Sequence, residues 1–305
     1  MSLHARSAIL YIALVACIQN YPVPFCCASR TLGGGNEHKN VDKIPLILYK
    51  TGPFSSDDIP ANVRERIEVS CRMLGAELRY FTDAACRQHI EAHFDTSVVQ
   101  AYDSLIPSAY KADLWRMCIL YTYGGIYGDV SQKVLTPIDV NARAAHMVLV
   151  KDRDMCNTVN NIQISFMACA PRSPVLKYII ERITEGIHRK RMGRCAWDIT
   201  GPAAFGTHLC EFLGVERILD GRHTYTDAGG SSYVIDVRFR ETGGFLADIH
   251  DDNVRHFETK ATNHAKLVYA SPDLRYEYMY NHNAVYASRN KGVRETNTET
   301  FTTTQ

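Results

Sequence analysis

The chain has 305 residues, 46% of them hydrophobic and 22% charged, with a formal net charge of +1. This composition suits one globular domain and excludes a disordered polymer, and the near-neutral balance gives no electrostatic case for a nucleic-acid partner. The one dense basic run, His188-Arg189-Lys190-Arg191, closes a helical pattern. There it serves either as a solvated last turn favoured by the helix dipole or as a contact for phosphate or an anionic acceptor.

At the N-terminus, His4 and Arg6 precede an apolar run from Ala8 to Ile18 that breaks at Asn20-Tyr21-Pro22-Val23-Pro24. The run is shorter than the roughly 20 apolar residues of a membrane span. Residues 1–28 fit a cleaved signal peptide, with Cys26-Cys27-Ala28 before Ser29, or a signal-anchor attaching the chain to a membrane. Either reading implies the secretory pathway: the ER or Golgi lumen, or secretion. The ten cysteines show no C-x-x-C pair and no zinc-like spacing, so most are expected to be reduced and buried, Cys118 and Cys169 among them. No N-x-S/T sequon occurs, which weighs slightly against a lumenal site.

Residues 29–42, with Gly33-Gly34-Gly35, read as a flexible stem, 43–288 as one domain, and 289–305 as a disordered tail. The domain opens on a buried strand, 44–49, that ends in the turn Lys50-Thr51-Gly52-Pro53. A helix follows over 57–74, with Pro60 in its first turn and Gly75 as its stop. Next come a strand over 77–82, Asp83 as N-cap of a helix to His93, and a mixed segment to Tyr110.

The most informative stretch runs from Ser108 to Leu135. Leu114, Met117, Cys118 and Tyr121 fall at helical spacing and predict one buried stripe, with Asp113 and Arg116 three apart beside it. Gly124-Gly125 ends this helix, and Ile126-Tyr127-Gly128-Asp129-Val130 reads as a short strand with Asp129 near its carboxyl end. That is where open α/β sheets bind ligands. Taken alone, Asp113 and Arg116 read as a surface ion pair worth under ~1 kcal/mol.

Lys111-Ala112-Asp113-Leu114-Trp115-Arg116 followed by Tyr123-Gly124-Gly125-Ile126-Tyr127-Gly128-Asp129 resembles the core of the glycosyltransferases with a DXD sugar-binding motif. That group includes the fungal initiation mannosyltransferases and, more distantly, the clostridial glucosylating toxins. The resemblance implies a GT-A type α/β fold, with a nucleotide-sugar-binding, parallel-rich mixed sheet covered by helices. It implies a UDP- or GDP-sugar donor, a glycan or glycoprotein acceptor, transfer of a hexose with retention, and Mn²⁺ or Mg²⁺ on the diphosphate. By matching position, Asp113 and Arg116 would hold the donor sugar and Asp129 would be the first motif acid. The second motif position is Ser131, a neutral oxygen where hard cations prefer a carboxylate. Metal use would then fall on Asp129, Ser131, phosphate and water, or a cation such as Lys133 would stand in.

The opening strand is also similar to the family's, so Tyr49, Lys50 and Thr51 would either meet the nucleotide or form an ordinary strand end. After a strand over 146–150, the alternation from Asn161 to Ser165 predicts a half-buried strand with Asn161 and Gln163 pointing one way. They would face either solvent or sugar hydroxyls. A helix over 175–188 and the turn Thr200-Gly201-Pro202, with Asp198 as the carboxylate of interest, precede a helix over 203–213. The turn resembles an acceptor-side element of the family. From Gly214 to Ala261 only a strand at 233–239 and turns at Asp220-Gly221 and Gly229-Gly230 are legible, followed by a strand over 266–270. His282, in the aromatic run from Tyr276 to Tyr286, is either a packed histidine or the family's histidine over the donor diphosphate. A relative that binds sugar nucleotide or glycan without catalysis is the first rival reading. A glycoside hydrolase using Asp113 and Asp129 is the second.

Overall fold

A computed structural model describes residues 43–55, 57–242, 245–248, 251–258 and 275–287. The leader, the stem, the strand expected over 266–270 and the tail lie outside the described residues. Among those described, no helix is long and apolar enough to cross a membrane.

The chain alternates β1 (Ile47–Thr51), α1 (Ala61–Leu74), β2 (Glu77–Phe81), α2 (Asp83–His93), α3 (Thr96–Ser104), α4 (Ser108–Tyr123), β3 (Gly125–Gly128), β4 (Lys133–Val134), β5 (Met147–Lys151), β6 (Ile162–Cys169) and α5 (Pro174–His188). It continues with a 3₁₀ turn at Ala196–Asp198, α6 (Pro202–Leu213), β7 (Gly221–Thr226), β8 (Ser232–Thr242), β9 (Phe245–Asp248), β10 (Asp251–Glu258) and α7 (Tyr276–Asn281). The strands form one mixed sheet in the order β2-β1-β3-β6-β5-β8-β9-β10-β4, with β7 beside β8. The result is the mixed α/β architecture expected from the sequence. Its parallel pairings are β1 with β2, β1 with β3, and β5 with β8. The other described pairings are antiparallel, so the sheet is mixed rather than parallel-rich: β7 to β10 follow one another through short connections, while β3 with β6 and β4 with β10 pair across long stretches of chain.

Two apolar layers cover the sheet. One joins α2 to α6 through Trp115, Leu120, Ile179, Phe205 and Val237; the other packs Leu74 of α1 with Ile44, Ile126, Phe166 and Phe257. α4 is the centre of the first layer. Instead of a single stripe, Tyr110, Leu114, Trp115, Met117, Cys118, Ile119 and Leu120 are all buried, while Tyr121 is only half-buried. Neighbouring helices and the sheet enclose α4 on several sides, which the heptad-like spacing alone does not record. Each such large side chain contributes about 1.5–3 kcal/mol on burial.

Gly124 and Gly125 end α4 at φ of 65° and 111°. A Cβ on Gly125 would lie 2.8 Å from the Tyr49 ring and 2.9 Å from the Ile47 carbonyl, so the turn seats β3 directly against β1. Upstream, the N-cap of α2 is Thr82, whose hydroxyl accepts from the Ala85 N–H; Asp83 is the first helical residue. The mixed segment holds α3, capped by the Asp95 carboxylate through the N–H groups of Ser97 and Val98.

The register places the site. Gly128 of β3 pairs with Phe166 of β6, Lys151 of β5 pairs with Ile162 of β6, and the same Lys151 pairs with Arg240 of β8. The carboxyl ends of β3, β5 and β8 and the amino end of β6 therefore meet along one edge.

Candidate functional site

At that edge lies a cavity of about 470 Å³. Its inner wall comes from α4, β3 and β6: Asp113, Arg116, Asp129, Gln163, Ile164 and Ser165. Its outer wall comes from the segments after β5, around Trp197, and at the start of α7, with Asp152, Arg153, Trp197, Arg275, Tyr276 and Glu277.

Arg116 is the hub of the inner wall. Its Nη2 pairs with Asp113 Oδ1 at 2.8 Å, and its Nη1 reaches Asp129 Oδ1 at 3.1 Å and the Ile164 carbonyl at 2.6 Å. Nε donates to the Ala112 carbonyl at 3.3 Å, and the guanidinium sits 4.3 Å above the Tyr127 ring. With its side chain only 6% exposed, this cation is committed to the protein on every donor edge. Burial pushes the Asp113 carboxyl up to about 6, although Arg116 and the Thr200 hydroxyl, which donates to Asp113 Oδ2 at 2.9 Å, both favour its charged form. The arrangement is a helix-borne ion pair, but a buried one that lines a cleft.

Asp129 follows β3 and remains 34% exposed. Its Oδ1 also accepts from the Tyr127 hydroxyl at 3.0 Å, while Oδ2 has no hydrogen-bond partner among the described residues. Beneath it, the buried Lys50 Nζ donates to the Asp129 carbonyl at 2.8 Å and lies 3.4 Å from that of Gly128. Burial lowers the Lys50 amine to about 8. Lys50 thus organises the turn that carries Asp129 from behind, without lining the cleft.

The remaining sequence-selected residues divide. Gln163 lines the cavity, its Oε1 accepting from the Ser165 N–H. Tyr49 and Thr51 are buried away from it, the first under Gly125 and the second against Cys86 Sγ at 3.2 Å. Asn161 is fully buried just before β6, and its Nδ2 lies within 3.1 Å of the carbonyls of Arg153, Met155 and Thr158. Both faces of β6 are largely buried, so Asn161 and Gln163 do not share an exposed side. His282 is exposed, stacks on Tyr278 at 3.9 Å, and is absent from the cavity lining. Ser131 is buried outside the lining, its Oγ without a partner among the described residues, and Lys133 pairs with Glu65 at 3.4 Å. Asp198 is buried too. Burial raises its carboxyl, but hydrogen bonds from Arg194 outweigh that and hold it below the usual range, facing the 191–194 loop.

Sequence reasoning missed most of the outer wall. Trp197 Nε1 donates to the Tyr276 hydroxyl at 2.8 Å, and Tyr276 packs 5.6 Å from Tyr110, so this wall is pinned to the first turn of α4. A disulfide joins Cys156 to Cys195, next to the lining residues Met155 and Ala196; the other described cysteines are free, four of the five being buried. The available signals were the aromatic run beginning at Tyr276 and the Thr200-Gly201-Pro202 turn, whose Gly201 and Pro202 line the cavity beside Trp197.

Residues 68–149 match the family model described as the glycosyltransferase sugar-binding region containing DXD motif. Over those residues the chain is similar to a glycosyltransferase sugar-binding region. The match includes Asp113, Arg116, Asp129 and Ser131 and ends before the outer wall. Among solved structures, the chain is similar to the PaToxG glycosyltransferase, at 12% identity over 56% of this chain and 70% of that one, with a TM-score of 0.43. It is also similar to a glycosyltransferase involved in the glycosylation of the major capsid of PBCV-1, at 14% identity over 47% and 67%, with a TM-score of 0.25. No curated protein sequence matches the chain.

A divalent ion in such a region needs clustered hard oxygens. Here Ser131 Oγ is buried outside the cleft and Asp129 Oδ1 is engaged by Arg116 and Tyr127. Among the described residues no group of three His, Cys, Asp or Glu side chains could hold a metal ion. The donor set therefore does not fit a two-acid metal site.

Proposed function

We propose that the chain transfers a hexose from a UDP- or GDP-sugar to a hydroxyl of a glycan or protein, with retention at the anomeric carbon. The observation that carries this reading is the Asp113–Arg116–Asp129 array inside the family-matched region, lining a cleft at the carboxyl end of β3. Asp113, held by Arg116 and Thr200, accepts hydrogen bonds from donor-sugar hydroxyls and fixes their orientation. Asp129 Oδ2 accepts from the nucleotide ribose. In the transfer, the bond from the anomeric carbon to the diphosphate oxygen breaks and its electron pair leaves with the nucleoside diphosphate. The acceptor oxygen forms the new glycosidic bond, and its proton passes to the departing diphosphate or to water. Groups that meet the growing negative charge on the diphosphate supply the main acceleration. The Cys156–Cys195 disulfide supports a secretory-pathway setting, in keeping with an N-terminal signal peptide or anchor.

A thermal-shift series with UDP, GDP and their common sugars, followed by assay of nucleotide release, tests this reading. Stabilisation by one nucleotide class together with turnover of its sugar is expected. The buried Ser131 favours one alternative, a non-catalytic sugar-nucleotide binder, which would be stabilised in the same way but release no nucleotide with any acceptor.

A further inference from the structure

We propose that Arg153 and Arg275 bind the diphosphate of the nucleotide sugar directly, taking the place of the motif-bound divalent ion. This inference rests on the proposed transfer function and concerns the same cleft. The lining contains three guanidinium groups and no lysine or histidine: Arg116, Arg153 and Arg275. Arg116 is committed to Asp113, Asp129 and two backbone carbonyls. Arg153 and Arg275 are exposed at the outer wall, and neither side chain has an ion-pair partner among the described residues. They are the two cations of the lining that remain available to an incoming anion.

The segment presenting Arg153 is a built loop. The Asp152 carboxylate accepts the Arg153 N–H at 2.9 Å, and the buried Asn161 amide gathers the carbonyls of Arg153, Met155 and Thr158. With two protons for three carbonyls, Asn161 can serve them only by sharing one, and reversing the amide would set its oxygen against all three. The disulfide at Cys156 then ties the loop to the Trp197 segment. Arg275 is placed by its neighbour, since Tyr276 is fixed by Trp197 and Tyr110.

Acidic groups also face this wall: Asp152, Glu241 and Glu277. They favour cations in general, but Asp152 already accepts the Arg153 N–H and the acids form no metal-holding cluster among the described residues. A guanidinium offers a planar fork that matches two phosphate oxygens, the contact that a two-carboxylate motif otherwise leaves to a metal.

Calorimetric titration of the full chain with UDP and GDP, in EDTA and in Mn²⁺, tests the proposal on the wild type and on Arg153→Ala, Arg275→Ala and Arg153→Lys. One nucleotide is expected to bind in EDTA. Each alanine variant should weaken it roughly ten- to hundredfold with an unchanged melting temperature, and Arg153→Lys should recover part of the loss. The corresponding nucleoside, lacking the diphosphate, should be indifferent to these changes. Binding that requires Mn²⁺, or that ignores both arginines, would overturn this inference and leave the transferase reading standing. Absence of nucleotide binding under both conditions would overturn both.

Discussion

On the inner wall of the cleft, each charge is answered by the protein itself: Arg116 lies between two carboxylates, Asp113 is also held by Thr200, and Lys50 braces the Asp129 turn. On the outer wall, Arg153, Arg275 and Glu277 are exposed on loops and a short helix, held by an amide clamp, a disulfide and an aromatic contact. The difference separates two tasks. In the proposed transfer, a closed ionic set would fix the positions of neutral hydroxyls, whereas uncommitted cations would meet an anionic diphosphate.

The strongest way to break this comparison is Arg116→Leu, which leaves Asp113 buried without its cation. A loss of about 3–5 kcal/mol in urea unfolding is expected. A loss under ~1 kcal/mol would show that the inner wall behaves like a surface pair. Reducing the Cys156–Cys195 bridge, which spans a sequence separation of 39, should cost about 2–4 kcal/mol and weaken nucleotide binding. If reduction lowers the melting temperature but leaves nucleotide affinity untouched, the outer wall does not depend on that tie. Asn161→Ala removes the amide clamp, with an expected cost of about 1–3 kcal/mol and loss of diphosphate affinity; unchanged affinity would detach Arg153 from the clamp.

The gentlest probe is pH. Because the folded Asp113 carboxyl is raised to about 6 from an ordinary 3.8, the stability it contributes is complete below the unfolded value and is lost as pH rises through about 6. If Asp113 accepts sugar hydroxyls as proposed, its ionised form dominates above that point and turnover should climb across the same window. Asp113→Asn should flatten both profiles, and a stability profile unaltered by that change would place the titration elsewhere.

The inner wall was readable because it is local. Asp113 and Arg116 are one helical turn apart, and Asp129 follows a Gly-Gly stop whose geometry demands glycine. Where a side chain's role depends on how its loop packs, the pattern misled. Asn161 looks like half of an exposed alternation, yet its amide closes a loop; Ser131 has the motif spacing, yet its hydroxyl is buried. Of β7 to β10, only β8 and the turns on either side of β7 were legible; β7, β9 and β10 escaped notice because their pattern mixes polar and apolar residues. Cys156 and Cys195 gave no warning, since their pairing is set by the approach of two loops rather than by spacing. Arg153 and Arg275 lie outside any motif and became visible only when the cavity lining was assembled.

The most direct test is nucleoside diphosphate release from a panel of UDP- and GDP-sugars by the wild type and by Asp129→Asn, which keeps an oxygen to accept from Arg116 and Tyr127. One sugar nucleotide turned over by the wild type, and release at least ~100-fold slower in a variant of near-equal melting temperature, is the predicted result. Equal turnover by both proteins would contradict the account.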